Sequence, residues 1–309
     1  MSVTQRVRVG TRASPLALAQ TEEILHPLRR AYPHVRFETV RITPEGDRRK
    51  SAPLLSMVRG MFVKQLEVAM LAGEVDVAVH SAKDMPSDLP PGLCIAAFAA
   101  RHDPRDVLID RWDVPFAELP SGARLGTSSP RRSAQLRNLR QDIEILPIRG
   151  NVGSRLDKAR GDDYDGVVVA AAGVARLGRS DEISEYFPPS VSTPDAGQGA
   201  LLVEARSSDD ELHDLLSTVD DAPTRITVTA ERAFIAAIGG GCQVPVGVYA
   251  ELTGETLKMS AMAGLPDGSR LYRVSVSGDT DSPEEAGRRA AQGLIDSGAG
   301  EILFRERDR

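Results

Sequence analysis

Through the first 220 residues, short β-branched or aliphatic runs alternate with stretches of helical periodicity, a pattern that predicts parallel α/β structure. Val7–Val9 reads as a strand, followed by Gly10-Thr-Arg-Ala-Ser-Pro15 and a helical pattern through Leu16, Ala19 and Leu28. Ser14 suits the helix cap and Pro15 the first helical position, whereas Pro27 should kink or end the helix. A second strand is expected at Val35–Ile42, a helix at Phe62–Leu71, and a strand at Val75–Ser81 leading into a loop at Lys83–Pro91.

A second unit begins near residue 100. Arg124–Gly126 ends a short strand, Thr127-Ser-Ser-Pro130 opens a helix through Leu139, and Ile143–Ile148 and Val167–Ala171 read as further strands. Gly10 and Gly126 lie 116 positions apart, each between a strand and a Ser-Pro helix start, which makes them equivalent points in two similar lobes. Such turns leave helix N–H groups at the carboxyl end of a strand, where α/β folds bind anions. From about residue 220 the pattern changes. A helix at Thr224–Ile238 precedes Gly239-Gly-Gly-Cys242, and alternating segments at Val244–Leu252, Leu257–Ala263 and Leu271–Ser277 predict an antiparallel meander closed by a helix at Pro283–Ser297.

Composition narrows the class. At 309 residues, with 41% hydrophobic and 27% charged positions, the chain suits two or three cores and excludes disorder, collagen and coiled coil. No apolar run approaches the ~20 residues of a membrane span. Residues 1–15 hold no apolar signal core, so a cytoplasmic location is expected. The net charge of −6 argues against generic nucleic-acid binding. It is unevenly spread, with 13 basic and 10 acidic side chains in residues 1–100 but 11 and 19 in residues 201–309. Arginine outnumbers lysine 33 to five, which reads either as codon bias or as recognition of carboxylates and phosphates by guanidinium forks.

Three features could carry chemistry. In Val75–Pro86 a strand delivers Ser81, Lys83 and Asp84 to its carboxyl end. A carboxylate beside a lysine there suits acid–base work and stabilisation of a cation, or is a turn aspartate beside a solvated lysine. His80 reads as a core residue at the strand end rather than a ligand. Arg131 and Arg132 fall in the first turn of a helix, where cations are unfavourable unless an anion is shared. Arg12, Arg149, Arg155 and Arg176 also fall at strand ends and helix starts; each alone reads as a surface charge, and together they suggest anion binding. Cys94 looks like a buried small hydrophobe, whereas Cys242, after three glycines, is a nucleophile, an attachment point or an incidental loop residue. The two cysteines are 148 positions apart, and neither a disulfide nor a metal knuckle is expected. Dinucleotide and phosphate-loop motifs, His-x-x-x-His and Cys-x-x-Cys are absent from the sequence, so no metal is expected.

Val9–Ala17, Val79–Pro86, Leu125–Leu136, Arg149–Leu156, Gly197–Leu201, and Glu231-Arg-Ala-Phe with Gly240-Gly-Cys-Gln-Val-Pro245 together resemble the porphobilinogen deaminase (hydroxymethylbilane synthase) family, in order and over nearly the whole chain. The resemblance implies an α/β protein with two lobes like type II periplasmic binding proteins around a cleft. A small α+β C-terminal domain with a three-stranded antiparallel sheet completes it. The expected domains are residues 1–99 with 200–219, 100–199 and 220–309. It implies a transferase that condenses four porphobilinogens head-to-tail with loss of ammonia, giving hydroxymethylbilane in tetrapyrrole and haem biosynthesis. A dipyrromethane primer would be attached covalently through Cys242. Asp84 would be catalytic; Ser81, Lys83, Asp84, Thr127, Ser129, Arg131 and Arg132 would hold the primer; Arg12, Ser14, Arg149, Arg155 and Arg176 would hold substrate or the growing chain. The implied protein is a cytoplasmic monomer acting on a small molecule, with no nucleic-acid or membrane partner and no metal.

One segment departs from the family. Its usual Gly-Gly-Lys-Gly-Leu-Phe is Met57-Val-Arg-Gly-Met-Phe62 here, so a flap containing Asp47 and Arg59 should be stiffer. The rival readings are a non-catalytic receptor for an anionic small molecule, opposed by the Gly-Gly-Cys loop, and a degenerate paralogue, supported only by Met57–Met61.

Overall fold

In this computed structural model residues 6–42, 57–239 and 244–304 are described, with side chains from Phe62 onward in the second stretch. Asp47 and Cys242 lie outside the described residues, and Arg59 is described only as a helical position. The chain forms two compact units, residues 1–101 with 200–225, and residues 102–199 with 226–309.

The first unit is built from β1 (Arg6–Thr11), α1 (Pro15–Ala31), β2 (Arg36–Arg41), α2 (Met57–Leu71), β3 (Val77–Ser81) and β4 (Leu93–Phe98). The second continues with β5 (Asp106–Asp110), β6 (Arg124–Gly126), α3 (Pro130–Leu139), β7 (Glu144–Leu146), α4 (Val152–Lys158), β8 (Gly166–Ala170), α5 (Ala171–Arg176) and β9 (Glu185–Phe187). The chain then rejoins the first sheet as β10 (Leu201–Arg206), followed by α6 (Asp210–Leu216) and α7 (Ala222–Ala237). It closes with β11 (Val246–Thr253), β12 (Thr256–Gly264), β13 (Leu271–Asp279), α8 (Pro283–Leu294) and α9 (Gly300–Phe304).

The first sheet has the order β2-β1-β3-β10-β4 and the second β7-β6-β8-β5-β9. In each, the first three strands are parallel and the fourth is antiparallel to both neighbours. The sheets of the parallel α/β pattern are thus mixed, three parallel strands each with an antiparallel fourth. The antiparallel strands β5 and β10 are those that arrive from the other sheet, and an antiparallel neighbour needs no helical crossover within its own sheet.

Two further expectations shift. α1 runs through Pro27 to Ala31, because Ile24, Leu25 and Leu28 lock its inner face into the core and outweigh one missing backbone bond. α2 starts at Met57 rather than Phe62, consistent with Met57 and Val58 standing where helix-breaking glycines are usual. The predicted antiparallel meander is present as β11-β12-β13, packed through Val248, Met259 and Ala261 on Phe234 of α7 and Ala290 and Leu294 of α8. The closing helix is interrupted after Leu294, where Gly298 adopts φ 101°.

The equivalence of Gly10 and Gly126 extends beyond the glycines. A Cβ on Gly10 would sit 2.9 Å from Leu66 Cδ2, and one on Gly126 would sit 3.0 Å from Ile148 Cδ1 and Tyr164 Cδ1, so both turns need a bare backbone for close packing. Asp76 accepts from the backbone and guanidinium of Arg8 and from Arg206, while Asp165 accepts from the backbone and guanidinium of Arg124 and pairs with Arg111. Each ion triad pins the loop entering the third parallel strand to the edge of the first.

Candidate active site

In the first unit the turn after β1 ends at Ser14, whose hydroxyl accepts from Ala17 N at 3.2 Å and caps α1. Arg12, exposed in that turn, lays its guanidinium over the Phe62 ring of α2, 3.9 Å from the centroid. β3 is buried until Ser81, and the chain then makes one 3₁₀ turn, Ala82–Asp84. Buried Ala82 and Met85 bracket that turn: Ala82 N donates to Ala200 O at 3.0 Å, and Met85 N to Ala82 O at 3.3 Å. Lys83 and Asp84 are thus half-buried side chains on a short, tied segment. His80, one residue before Ser81, is buried with Nε2 3.0 Å from Glu204 Oε2 on the neighbouring β10.

In the second unit, Thr127 Oγ1 accepts from Ser129 N at 3.3 Å, and the Ser129 hydroxyl accepts from Arg132 N at 3.4 Å to cap α3. Arg131 and Arg132, the two cations at an unfavourable helix start, are buried against Asp106. Arg131 Nη1 donates to Asp106 Oδ2 at 2.7 Å and to Thr193 O; Arg132 Nε donates to Asp106 Oδ1 at 2.8 Å and its Nη2 to Gln198 Oε1 at 3.2 Å. Ser192 Oγ and Gln198 Nε2 also donate to Asp106, at 2.8 and 2.9 Å. Burial by itself would raise the Asp106 pKa, but the two guanidiniums outweigh it and hold the carboxyl far below the usual range. The anion demanded by the arginine pair is supplied by the chain itself.

Arg155 differs. It sits half-buried in the first turns of α4, its Nε donating to Gly150 O at 2.9 Å. Its pKa is lowered by burial and then by Arg132, and among the described residues it pairs with no carboxylate. Arg149 is exposed beside it in sequence, and Arg176 at the end of α5 donates to Gly199 O at 3.0 Å.

The structure thus brings Arg131 and Arg132 together on Asp106, with Arg155 apart on α4, and Ser81, Lys83 and Asp84 onto one turn. Asp106, Gln198 and Glu204 are the residues that sequence reasoning missed. A polar residue leading an apolar run, as in Asp106-Val-Leu-Ile109, is the available signal for the first. Glu204 inside Leu201-Leu-Val-Glu-Ala205 is the same kind of signal for the last. Cys94 is half-buried, with Sγ 3.7 Å from His213 Nε2. Among the described residues no helix is long and apolar enough to cross a membrane, and no His, Cys, Asp and Glu group is arranged to hold a metal.

Comparison with known proteins places the chain among relatives. The family profile "Porphobilinogen deaminase, dipyromethane cofactor binding domain" matches residues 7–214, and "Porphobilinogen deaminase, C-terminal domain" matches residues 225–296. The chain is 49% identical over 302 residues to a porphobilinogen deaminase of Acidothermus cellulolyticus, covering 96% of this chain and 91% of the relative. It is 43% identical over 302 residues to that of Bacillus subtilis, covering 97% and 96%. Among solved structures, the methionine binding protein MetQ aligns with TM-score 0.44 at 10% identity, over 70% of this chain and 90% of that one. The BenM effector binding domain with benzoate aligns with TM-score 0.43 at 16% identity, over 71% and 91%. With two profiles spanning most of its length and relatives sharing nearly half its residues, the chain belongs to the porphobilinogen deaminase family.

Proposed function

We propose that this chain is a transferase that condenses four porphobilinogen molecules head-to-tail, with release of ammonia, into the linear tetrapyrrole hydroxymethylbilane. The observation that carries this reading is Arg155: a half-buried guanidinium at the start of α4, donating to Gly150 O and paired with no carboxylate among the described residues, calls for an anionic ligand. Porphobilinogen carries an acetate and a propionate on each ring, and a dipyrromethane carries two of each. The donor set fits such a group: arginines at a capped helix start offer forked donors to carboxylates.

Ser81, Lys83, Thr127, Ser129, Arg131 and Arg132 hold the primer, which supplies the nucleophilic pyrrole carbon from which the chain grows and is attached through Cys242. Arg12, Ser14, Arg149, Arg155 and Arg176 hold the carboxylates of incoming substrate or of the lengthening chain. Asp84 accepts the substrate's pyrrole N–H and assists proton transfer to the aminomethyl nitrogen. Ammonia leaves, and the carboxylate stabilises the positive charge that develops on the resulting azafulvene. Carbon–carbon bond formation followed by loss of the α-proton restores the aromatic ring, and after four such additions one water cleaves the tetrapyrrole from the primer and supplies its hydroxyl. Tethering replaces repeated capture of intermediates by local encounter. The reading includes a division into domains of residues 1–99 with 200–219, 100–199 and 220–309, and a monomer working in the cytoplasm.

Intact mass under denaturing conditions tests the reading. An excess of two pyrrole units, absent from Cys242→Ser, together with consumption of porphobilinogen, is expected. Bare protein that stays bare after incubation with porphobilinogen overturns it. Asp84→Asn should retain the fold and the primer mass and lose roughly 100-fold or more in turnover, the size of a general acid–base contribution; near-normal turnover removes Asp84 from its role.

A further inference from the structure

The two five-stranded sheets share one register, so each position in one has a counterpart in the other. Val9 faces Val77 as Leu125 faces Gly166, and Leu201 faces Ser81 as Asp106 faces Ala170. By the same register His80 corresponds to Val169 and Glu204 to Ile109, both buried and apolar. The second sheet therefore shows that this frame packs with valine and isoleucine at the two positions. The first sheet instead buries an imidazole and a carboxylate 3.0 Å apart. They are misaligned for a hydrogen bond, and neither Glu204 oxygen meets a donor among the described residues. Glu67 of α2 is also buried, with Oε1 meeting no partner among the described residues. Its pKa is raised by burial and then by Glu204, with His80 and Lys64 opposing.

Replacing a buried ion pair by apolar side chains is commonly neutral or stabilising, so stability does not account for the cluster. Its place does. His80 directly precedes Ser81 and the Ala82–Asp84 turn, and Glu67 lies five positions along α2 from Phe62, the ring beneath Arg12. We infer that His80 and Glu204 are positioning residues, a buried imidazole–carboxyl contact that holds the end of β3 against β10 and thereby fixes the turn that carries Lys83 and Asp84. The inference rests on the reaction proposed above.

The test gives the first sheet its twin's residues, His80→Val with Glu204→Ile. The expected protein folds and keeps its primer mass. Its kcat falls about 10- to 100-fold, the effect of a small misplacement of reacting groups, while KM is unchanged. Amide exchange at Ala82 and Met85 becomes faster. A kcat within twofold of the unaltered chain, a change confined to KM, or unchanged exchange at those two amides overturns the inference. If the unaltered chain itself has no turnover, the proposed function fails, and the exchange at Ala82 and Met85 alone decides this inference. Should the apolar pair not fold, His80→Gln, polar and of similar reach, replaces it in the same measurements, and the same outcomes support or overturn the inference.

Discussion

The sheets of the two units share a frame and differ in what the frame carries. Arg8, Asp76 and Arg206 in one are matched by Arg124, Asp165 and Arg111 in the other, including the guanidinium bonds to the carbonyls of Val75 and Tyr164 that precede each aspartate. Both frames have a tightly packed glycine near the end of the first strand and a serine capping the next helix. Above that frame they diverge. Aligned on Pro15 and Pro130, Leu16 and Ala17 stand where the other sheet's helix has Arg131 and Arg132, and buried Leu201 stands where it has Asp106. Conversely, Lys83 and Asp84 stand where the second unit has Ala172 and Gly173. From Gly10 to Pro15 the chain is one residue longer than from Gly126 to Pro130, and that stretch carries Arg12. The difference separates the parts needed to fold a lobe from those needed for chemistry: buried charge stands wherever the twin shows that an apolar residue would serve the fold.

The largest effect should come from removing Asp106, the buried carboxylate that both buried cations share. Asp106→Ala strands Arg131 and Arg132 and should cost about 3–5 kcal/mol in urea unfolding. The triple replacement Asp106→Leu, Arg131→Leu, Arg132→Ala, which copies the first sheet, should recover most of that stability and lose the primer. If the triple variant is as unstable as the single, the apolar solution of the first sheet is not transferable and the comparison breaks. Acid sharpens the same point. Because the folded pKa of Asp106 is depressed, its contribution is fully present above the unfolded value of about 4 and shrinks as pH falls below it, when the unfolded chain takes up a proton that the folded one refuses. The stability gap between the unaltered chain and Asp106→Asn should therefore be flat from about pH 5 to 7 and narrow below about pH 4. A gap that widens in acid would mean that Asp106 is not the counter-ion.

The frame is more legible in the sequence than its decoration. Strand–glycine–Ser-Pro repeats are local signals, so Gly10 and Gly126 pair from their surroundings alone. β4, β5, β9 and β10 are not assigned from the sequence: β5 and β10 carry visible apolar runs, but their direction follows from long-range exchange between sheets, and β9 is only three residues long. Arg131 and Arg132 are visible as an electrostatic anomaly at a helix start, but their partner lies 25 and 26 positions earlier in sequence, and no periodicity connects them. His80 reads as a core residue and is one in burial; its meaning comes from Glu204 across the strand pair and from the apolar pair at the twin position. Asp47 and Cys242 lie outside the described residues, and Arg59 is described only as a position on α2.

A smaller effect tests how alike the two turns are. Gly10→Ala pushes a methyl toward the movable end of Leu66, whereas Gly126→Ala meets Ile148 and a Tyr164 ring whose hydroxyl is tied to Pro147 O at 2.8 Å. Each should cost about 1–3 kcal/mol by overpacking, with Gly126→Ala the larger. Thermal unfolding of the two variants measures this, and the reverse order would show that the first turn is the tighter one.

The smallest expected difference is at the caps. Ser14→Ala removes the side-chain acceptor for Ala17 N and should cost about 1 kcal/mol, the usual value of a helix cap. Ser129→Ala removes the matching acceptor for Arg132 N, but that helix start is held independently by the Arg131 and Arg132 side chains on Asp106, Thr193 and Gln198. A cap that is one of several restraints contributes less than one that acts alone, so Ser129→Ala should shift the urea midpoint by about half as much as Ser14→Ala. In the Asp106→Leu, Arg131→Leu, Arg132→Ala background those restraints are gone, and the same Ser129→Ala change should cost as much as Ser14→Ala does. If its cost stays low in that background, the arginine pair does not hold the helix start, and its burial against Asp106 has to be assigned to ligand binding alone.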